Sequence, residues 1–262
     1  MTLDLHELLA LADAALDRVV PSLRSPEARI GMAVDTKSSG TDMVTDMDRW
    51  AETTIVDLIS SARPHDGLIG EEGAFRESRT GVTWLIDPID GTTNFLYDIP
   101  GYSVSIAARV DGLEVVGAVH DPIRDERFRA IRGEGATLND VPISASDSQH
   151  LATALVATGF SYDSDRRRAQ AEVLTHVLPA VRDIRRFGGA ALDLCAVACG
   201  RVDAYYERGL GEWDSAAGAL IAAEAGAIID NRQPAGGAFT GAAPGVFEAF
   251  AKLLDDAGAH HA

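Results

Sequence analysis

The chain has 262 residues, a formal net charge of −17, and a composition that is 46% hydrophobic and 24% charged. Its length is sufficient for one large domain or two closely packed subdomains. The acidity argues against a nucleic-acid binder, because such proteins need Lys and Arg to neutralise phosphates. No apolar run reaches the roughly 18 residues of a membrane span, and residues 1–4 do not resemble a signal peptide. We therefore expect a cytoplasmic protein with no membrane or nucleic-acid partner.

The first third of the sequence predicts two amphipathic helices and two short strands. Apolar residues recur at helical spacing from Leu3 to Val20, and Pro21 is expected to end this helix. A second helix is predicted to start at Thr45, because Thr45 and Asp48 have the spacing of a capping box. Short apolar strands follow at residues 67–69 and 84–86, and they are expected to end at the same edge of a sheet.

The remaining two thirds divide into two patterns. Residues 102–143 alternate in hydrophobicity around turn signals such as Asp111-Gly112, which is typical of antiparallel hairpins. After residue 148, strands alternate with helices, which predicts a mixed, largely parallel sheet covered by helices. We predict an α+β subdomain over residues 1–147 and an α/β subdomain over residues 148–262, with the functional site in the crevice between them.

The stretch from Asp87 to Phe95 carries the strongest chemical signal. Two carboxylates, Asp87 and Asp90, follow the apolar strand, and the small-residue turn Gly91-Thr92 comes next. Carboxylates bind hard cations, whereas free backbone amides at a turn or helix start bind anions. A phosphate ester would be repelled by so acidic a protein unless bound cations reversed the local charge. The stretch therefore predicts a site for metal and phosphate together.

Six acidic residues share a position at a strand end or a helix start, where α/β folds place their ligands. They are Asp48, Glu71, Asp87, Asp90, Glu207 and Asp214. Taken singly, Asp48 and Asp214 could be helix caps and Glu207 an exposed acid. Taken together, they would converge without Arg or Lys partners, which is unfavourable unless cations lie between them.

The sequence resembles the magnesium-dependent, lithium-sensitive inositol monophosphatases. The resemblance is carried by motifs that occur in the family's order and cover nearly the whole chain. These are Lys37 to Asp48, Gly70-Glu71-Glu72, Asp87 to Phe95, Thr158-Gly159-Phe160, Gly188 to Ala191 and Trp213 to Gly218. The resemblance implies a layered α-β-α-β-α sandwich, a homodimer and hydrolysis of a small phosphorylated polyol, myo-inositol monophosphate, by direct attack of a metal-activated water.

The resemblance also implies a role for each matching residue. It makes Glu71, Asp87, the carbonyl of Ile89, Asp90 and Asp214 ligands of two or three Mg²⁺ ions. Glu71 and Thr92, the latter supported by Asp48, would position and activate the water. The phosphate and the alcohol would be bound by the following residues: Asp90, Gly91, Thr92, Gly188, Gly189, Ala190, Glu207 and Asp214.

The identity of the alcohol stays open at this point. Related branches with the same metal motif hydrolyse fructose 1,6-bisphosphate, histidinol phosphate or 3′-phosphoadenosine nucleotides. Glu207 favours a hydroxyl-bearing or amine-bearing group over a nucleotide. Arg185 and Arg186 could bind a second phosphate, and Glu212 either contacts the substrate or is solvated. A non-catalytic binding protein of the same fold is a weaker alternative, since every expected carboxylate is present.

Overall fold

Two large β-sheets, a small two-stranded sheet and the helices that cover them make up the computed structural model, which describes residues 3–25, 33–37 and 43–261. The helices are α1 (Leu5–Arg24), α2 (Asp46–Ala62), α3 (Thr92–Leu96), α4 (Ser164–Val177), α5 (Ala190–Ala198), α6 (Glu212–Glu224) and α7 (Pro244–Asp256). The strands are β1 (Val34–Thr36), β2 (Met43–Thr45), β3 (Gly67–Gly70), β4 (Phe75–Arg76), β5 (Val82–Asp90), β6 (Ser103–Val110), β7 (Leu113–Asp121), β8 (Glu126–Ile131), β9 (Gly135–Leu138), β10 (Val141–Pro142), β11 (Leu155–Thr158), β12 (Asp183–Arg185), β13 (Ala204–Glu207), β14 (Ile228–Asn231) and β15 (Phe239–Ala242).

The first helix runs one turn further than the sequence predicted. Pro21 was expected to end it, but α1 continues to Arg24 with Pro21 inside the helix. The buried Leu23 explains the extension, because its side chain is fully covered and its carbonyl accepts a hydrogen bond of 3.1 Å from Tyr102. Packing therefore outweighs the hydrogen bond that a proline removes in the last turn. Among the described helices, none combines the length and apolarity that a bilayer crossing requires.

The larger sheet has eight strands in the order β10-β9-β8-β7-β6-β5-β3-β4. Its pairings are antiparallel except for β3 and β5, which run parallel and pair Gly70 with Ile86. The predicted hairpin at Asp111-Gly112 joins β6 to β7, and both residues have the positive φ that such a turn requires. The helices α1 and α2 cover one face of this sheet through a core that includes Trp84 and Ile106.

The central strand runs past Pro88 and is longer than the predicted residues 84–86. Strand β5 continues to Asp90, and its register against β6 shifts between Asp87 and Asp90. A proline can lie within a sheet where the ladder is already interrupted by such an irregularity. The shift keeps Asp87 and Asp90 in the strand while changing the direction of the chain between them.

The smaller sheet has five strands in the order β12-β11-β13-β15-β14. It is mixed: β11 pairs in parallel with β12 and β13, whereas β15 pairs antiparallel with β13 and β14. Successive residues of β13 face opposite layers, since Tyr205 joins the core around α5 and α6 and Tyr206 joins the core around α4 and α7. Helices α5 and α6 lie between the two sheets. The predicted α-β-α-β-α sandwich is confirmed.

Candidate active site

The parallel pair β3 and β5 brings the first two predicted acids together. Both strands end at one edge of the larger sheet, and the amide of Glu71 donates a hydrogen bond of 3.1 Å to the carbonyl of Ile86. Glu71 and Asp87 therefore leave adjacent strands at the same level. Asp87 is 1% exposed, and its carboxylate accepts a hydrogen bond of 3.1 Å from the amide of Ile89. The sequence predicted this convergence correctly.

Asp90 links the end of β5 to the start of α5. Its two carboxylate oxygens accept hydrogen bonds from the amides of Ala190 at 3.1 Å and Ala191 at 2.8 Å. Negative charge is favoured at this helix start because the first-turn amides have no partner within the helix. A Cβ on Gly189 would lie 2.7 Å from Asp90 Oδ2, so only glycine allows this approach.

Asp214 completes the group from the C-terminal half of the sequence. It lies in the first turn of α6, where its Oδ2 accepts a hydrogen bond of 2.6 Å from the amide of Gly211. We call Glu71, Asp87, Asp90 and Asp214 the acidic wall. Its members come from residues 71–90 and from residue 214, so the wall joins distant parts of the sequence.

Burial and the neighbouring acids make three members of the acidic wall, Asp87, Asp90 and Asp214, difficult to ionise. Burial is the main cause that raises the pKa of Asp87, and the charges of Glu71, Asp90 and Asp214 raise it further. The pKa of Asp90 is raised to about 7 by burial and by neighbouring acids, although its two amide hydrogen bonds oppose the shift. The pKa of Asp214 is raised well above its usual value by burial and then by Asp90 and Glu71.

The chemistry of these donors fits a divalent cation. Several buried carboxylates with raised pKa values lie together, and oxygen ligands of this kind are what Mg²⁺ prefers. The side chains do not yet form a tight group: within the described ranges, no three His, Cys, Asp or Glu residues are arranged to hold a metal ion. Protein donors account for this, since amides bind Asp90 and Asp214, and the ammonium group of Lys37 lies 2.8 Å from Glu71 Oε1.

The turn after the acidic wall presents backbone amides and a hydroxyl. Gly91 has a φ of 89°, and α3 begins directly after it. The Thr92 hydroxyl lies 3.2 Å from Asp48 Oδ1 and 3.0 Å from the carbonyl oxygen of Ile89. A side chain at position 91 would collide with the carbonyl of Gly101 at 2.9 Å, so this conformation and this contact both require glycine.

Asp48 has both of the roles that the sequence left open. Its Oδ2 accepts hydrogen bonds from the Thr45 amide at 2.8 Å and the Thr45 hydroxyl at 2.5 Å, which confirms the capping box at the start of α2. Its Oδ1 faces the Thr92 hydroxyl. Burial raises the pKa of Asp48, while the hydrogen bonds from Thr45 oppose the rise. The helix cap thus also supports the turn at Thr92.

The predicted residues line one cleft with a volume of about 390 Å³. Asp48 is the exception, since it lies behind Thr92. The cleft-lining residues that the sequence predicted are Glu71, Asp87, Ile89, Asp90, Gly91, Thr92, Gly188, Gly189, Ala190, Glu207 and Asp214. They come from both sheets, so the cleft lies where the end of β5 meets β13, α5 and α6.

Glu207 lies at the end of β13 on the far side of the cleft. Its Oε2 accepts a hydrogen bond of 2.8 Å from the Tyr205 hydroxyl, and burial raises its pKa. A Cβ on Gly159 would lie 1.8 Å from Glu207 Oε2, which explains the glycine in the Thr158-Gly159-Phe160 motif. Glu207 is therefore held in position rather than fully solvated.

Sequence reasoning missed two residues that shape the Glu71 turn. Lys37 pairs with Glu71 and lies 2.5 Å from Glu72 Oε1, and these acids raise its pKa even though burial lowers it. Lys37 belonged to a motif of the resemblance, but Ser38 and Ser39 of that motif lie outside the described residues. Glu52 is 5% exposed, and its carboxylate accepts hydrogen bonds from the amides of Glu72 at 2.8 Å and Ala74 at 2.9 Å. In the sequence, Glu52 lies on a polar helix face, and that pattern does not indicate its contacts with the Glu71 turn.

Asn94 is a third missed residue, although it lies within the central motif. Its side-chain amide donates hydrogen bonds to the carbonyls of Gly101 at 2.8 Å and Phe187 at 2.6 Å. A Cβ on Gly188 would lie 2.4 Å from Asn94 Nδ2, and Gly188 has a φ of 115°. Asn94 therefore connects the phosphate turn to the segment that precedes α5.

The three residues left open by the sequence now have defined surroundings. Arg185 pairs with Asp183 at 2.7 Å, whereas Arg186 lines the cleft. Glu212 is an exposed acid whose Oε2 lies 2.6 Å from Arg109 Nη1. The two adjacent arginines therefore differ: only Arg186 reaches the cleft.

Comparisons with known proteins agree with this architecture. The model of the inositol monophosphatase family matches residues 4–261. An inositol-1-monophosphatase of Mycobacterium leprae is 47% identical over 238 residues, covering 86% of this chain and 82% of the relative. A Pasteurella multocida protein named Nus factor SuhB is 44% identical over 196 residues, covering 74% of this chain and 73% of the relative.

Solved structures share the fold closely. The extragenic suppressor protein suhB of Bartonella henselae superposes with a TM-score of 0.88 at 33% identity, covering 95% of this chain and 98% of the other. Two more distant neighbours, each 23% identical, show likeness of fold only. One, with a TM-score of 0.76, is described as inositol monophosphate-bound SaIMPase-II, and it covers 95% of this chain and 98% of its own. The other, with a TM-score of 0.83 and 96% coverage of each chain, is described as an IMPase/NADP phosphatase complexed with Mg²⁺ and phosphate.

The layered sandwich with a carboxylate-lined cleft at the junction of its two sheets is the architecture of a phosphatase class. Within that class, the chain belongs to the inositol monophosphatase family. It is therefore an enzyme, and its activity is that of a phosphatase.

Proposed function

We propose that this chain is a Mg²⁺-dependent phosphomonoesterase that hydrolyses myo-inositol monophosphate to inositol and phosphate. The observation that carries the proposal is the acidic wall, where burial and neighbouring carboxylates raise the pKa of Asp87, Asp90 and Asp214 beside the turn at Gly91. The Mycobacterium leprae relative supports the substrate by its name. The neighbour described with Mg²⁺ and phosphate supports the cofactor by analogy of fold.

The residues that would hold two or three Mg²⁺ ions are Glu71, Asp87, Asp90, Asp214 and the carbonyl of Ile89. All five residues line the cleft. When bound, Mg²⁺ supplies positive charge that stabilises the phosphate and lowers the pKa of an attacking water. Such charge is needed because phosphate monoester hydrolysis is extremely slow without a catalyst.

The chain's own groups would bind the phosphate and orient the water. The amides of Gly91 and Thr92 open α3, where backbone N–H groups favour an anion. When the Thr92 hydroxyl donates its proton toward Asp48, its oxygen lone pairs face away from Asp48 and can accept a hydrogen bond from the water. Glu71 would take the proton from that water.

The alcohol side of the cleft would be formed by the segment Gly188, Gly189 and Ala190 together with Glu207. A carboxylate accepts hydrogen bonds only, which suits the hydroxyl groups of a cyclitol or sugar. Asp90 and Asp214 would contribute from the metal side. The central motif contains no Ser, Cys or His that could act as a nucleophile. We therefore expect direct attack of water, which inverts configuration at phosphorus.

Phosphate release from four substrates tests this proposal. Inositol 1-phosphate, fructose 1,6-bisphosphate, histidinol phosphate and a 3′-phosphonucleotide would be compared with Mg²⁺ and then with added Li⁺. We expect the highest kcat/KM for inositol 1-phosphate, a requirement for Mg²⁺ and inhibition by Li⁺. A preference for histidinol phosphate or the bisphosphate would reassign the substrate. Absence of Mg²⁺-dependent turnover on all four would refute the enzymatic proposal.

The wider organisation also remains a proposal. It comprises a homodimer, a cytoplasmic location and subdomains over residues 1–147 and 148–262. Light scattering of the purified protein should give twice the 27.7 kDa chain mass. A monomer at micromolar concentration would contradict the dimer.

A further inference from the structure

One segment of the cleft has little rigidity of its own. Residues 208–211 join β13 to α6, and all four line the cleft, so we call them the cleft segment. Two of the four are glycines. Gly209 has a φ of 91°, and a Cβ on Gly211 would lie 2.5 Å from Trp213 Cε2. Because glycine has the widest conformational freedom of any residue, the path of this segment depends on the groups that hold it.

The last residue of the cleft segment contacts a member of the acidic wall. The amide of Gly211 donates a hydrogen bond of 2.6 Å to Asp214 Oδ2. Gly211 directly precedes α6, and Asp214 lies in the first turn of that helix. A shift of the Gly211 amide would therefore shift the carboxylate oxygen that it binds, so the orientation of Asp214 depends on the path of the cleft segment.

Gln233 holds the cleft segment from outside the cleft. It begins the short turn Gln233–Ala235 between β14 and β15, and its Oε1 accepts a hydrogen bond of 2.7 Å from the amide of Leu210. Two successive amides of the cleft segment are thus bound by side chains: that of Leu210 by Gln233 and that of Gly211 by Asp214. Within the described ranges, the lining of the cleft does not include Gln233.

The turn that carries Gln233 is anchored to the rest of the C-terminal half. The amide of Gly236 donates a hydrogen bond of 2.8 Å to the Gln233 carbonyl, and the Gly236 carbonyl accepts one of 2.8 Å from Arg208 Nε. The amide of Ala238 donates a hydrogen bond of 3.0 Å to His260 Nδ1. The turn is therefore bound on both sides, which makes it a fixed support for the cleft segment.

We propose that Gln233 is a positioning residue of the active site. By accepting the Leu210 amide, it holds the cleft segment where Gly211 can bind Asp214, and it thereby strengthens Mg²⁺ binding by the acidic wall. Residues that orient metal ligands from outside the ligand shell typically change metal affinity about 10–100-fold. The inference deepens the proposed function and rests on it for the identity of the metal.

Amide hydrogen exchange, measured by NMR in the presence of a chelator, tests this role without metal or turnover. In Gln233→Ala, the amides of Leu210 and Gly211 should exchange about three- to tenfold faster than in the native protein, as expected for the loss of one hydrogen bond. Gln233→Glu retains a side-chain acceptor and should restore the native rates. The Leu210 side chain also packs against the core around α5 and α6. Unchanged exchange at Gly211 in Gln233→Ala would show that this packing alone holds the segment, and it would overturn the inference.

Titration calorimetry with Mg²⁺ measures the consequence for the acidic wall. The dissociation constant for Mg²⁺ should rise about tenfold in Gln233→Ala. It should stay near the native value in Gln233→Glu at about 0.15 M salt, where the added charge is screened beyond roughly 8 Å. Gln149→Ala is the matched control, because Gln149 is exposed and its Nε2 donates a hydrogen bond of 2.9 Å to the Asp147 carbonyl outside the cleft. This control should bind Mg²⁺ like the native protein.

The outcomes separate this inference from the proposed function. Native Mg²⁺ affinity in Gln233→Ala, or an equal loss of affinity in Gln233→Ala and Gln233→Glu, would overturn the inference and leave the function standing. Absence of Mg²⁺ binding by the native protein would remove the proposed cofactor, whereas the exchange rate at Gly211 would still decide whether Gln233 positions Asp214.

Discussion

The two sides of the cleft are built differently. The acidic wall is built on hydrogen-bonded backbone. Two parallel strands end together, an amide of α5 donates to Asp90, and the amide of Gly211, just before α6, donates to Asp214. The cleft around Glu207 instead includes longer, exposed side chains, such as Arg186 from the segment after β12. The proposed function therefore assigns the reaction to rigidly held backbone and the choice of alcohol to side chains that can vary without disturbing the fold.

The largest expected effect comes from Asp90→Asn, which removes one charge of the acidic wall and preserves its shape. Activity on inositol 1-phosphate should fall more than about 100-fold, since changes to outer-shell partners of metal ligands already cost about 10–100-fold. Thermal stability should be equal or higher, because burial disfavours the charged form of Asp90. Steady-state kinetics and melting curves measure both.

Asp183→Asn is the control for this substitution, because Asp183 is an exposed acid paired with Arg185. It should keep native activity. A large loss of stability in Asp90→Asn, with activity lost only through unfolding, would show that Asp90 serves mainly to cap α5.

Glu52→Ala should have the next largest effect on the acidic wall. The Glu52 carboxylate accepts hydrogen bonds from the amides of Glu72 and Ala74, and it thereby shapes the turn that carries Glu71. Losing it leaves these two amides without their acceptor, which should lower stability by about 1–3 kcal/mol. Activity should fall about 10–100-fold, as for other residues that orient metal ligands.

Glu52→Gln is the conservative companion, since its side-chain oxygen can still accept one amide. It should recover part of the lost activity. Equal activity of Glu52→Ala and the native enzyme at a temperature where both are folded would contradict the role of this turn.

The pH dependence of stability should reveal the acidic wall without any substrate. The pKa of Asp90 is raised to about 7 in the folded chain, against about 3.9 in an unfolded one. An acid whose pKa is raised in the folded state stabilises the fold fully below its unfolded pKa, about pH 4. This contribution is lost as the pH rises through its folded pKa, about 7. In the presence of a chelator, the melting temperature should therefore fall between about pH 4 and 7.

Mg²⁺ should reverse that fall, because a cation that binds only the folded state adds stability by mass action. Asp90→Asn should show a shallower fall in the chelated protein. Identical pH profiles for the native and Asp90→Asn proteins in chelator would contradict the account of the wall.

The smallest effect is expected on the alcohol side. Glu207→Gln keeps the contact with Tyr205 but removes a charge-assisted acceptor for substrate hydroxyls. The KM for inositol 1-phosphate should rise about tenfold, with a smaller change in kcat, since this contact is made in both ground and transition states. A drop in kcat with unchanged KM would instead place Glu207 in the chemical step.

The sequence predicted those features that depend on local patterns. The convergence of β3 and β5, the capping box at Thr45 and the hairpin at Asp111-Gly112 all follow from strand order, helix-start chemistry and turn residues. The acids at strand ends were identifiable for the same reason. Their individual roles in holding metal remain predictions.

Features that depend on tertiary packing were not predictable. Pro21 remains inside α1 because Leu23 is buried, and Pro88 lies within β5 because the ladder shifts there. The contacts of Glu52 and Asn94 span 20 and 93 residues of sequence, so no local pattern indicates them. Arg185 and Arg186 are adjacent in sequence, and only the structure shows which one reaches the cleft.

The most direct test of the acidic wall is a Mg²⁺ titration of phosphate release from inositol 1-phosphate by the native protein after treatment with a chelator. The account predicts no release without the metal and a saturable recovery as Mg²⁺ is added. Undiminished release in excess chelator would contradict it, because the buried carboxylates would then be catalysing the reaction without the cation that their arrangement requires.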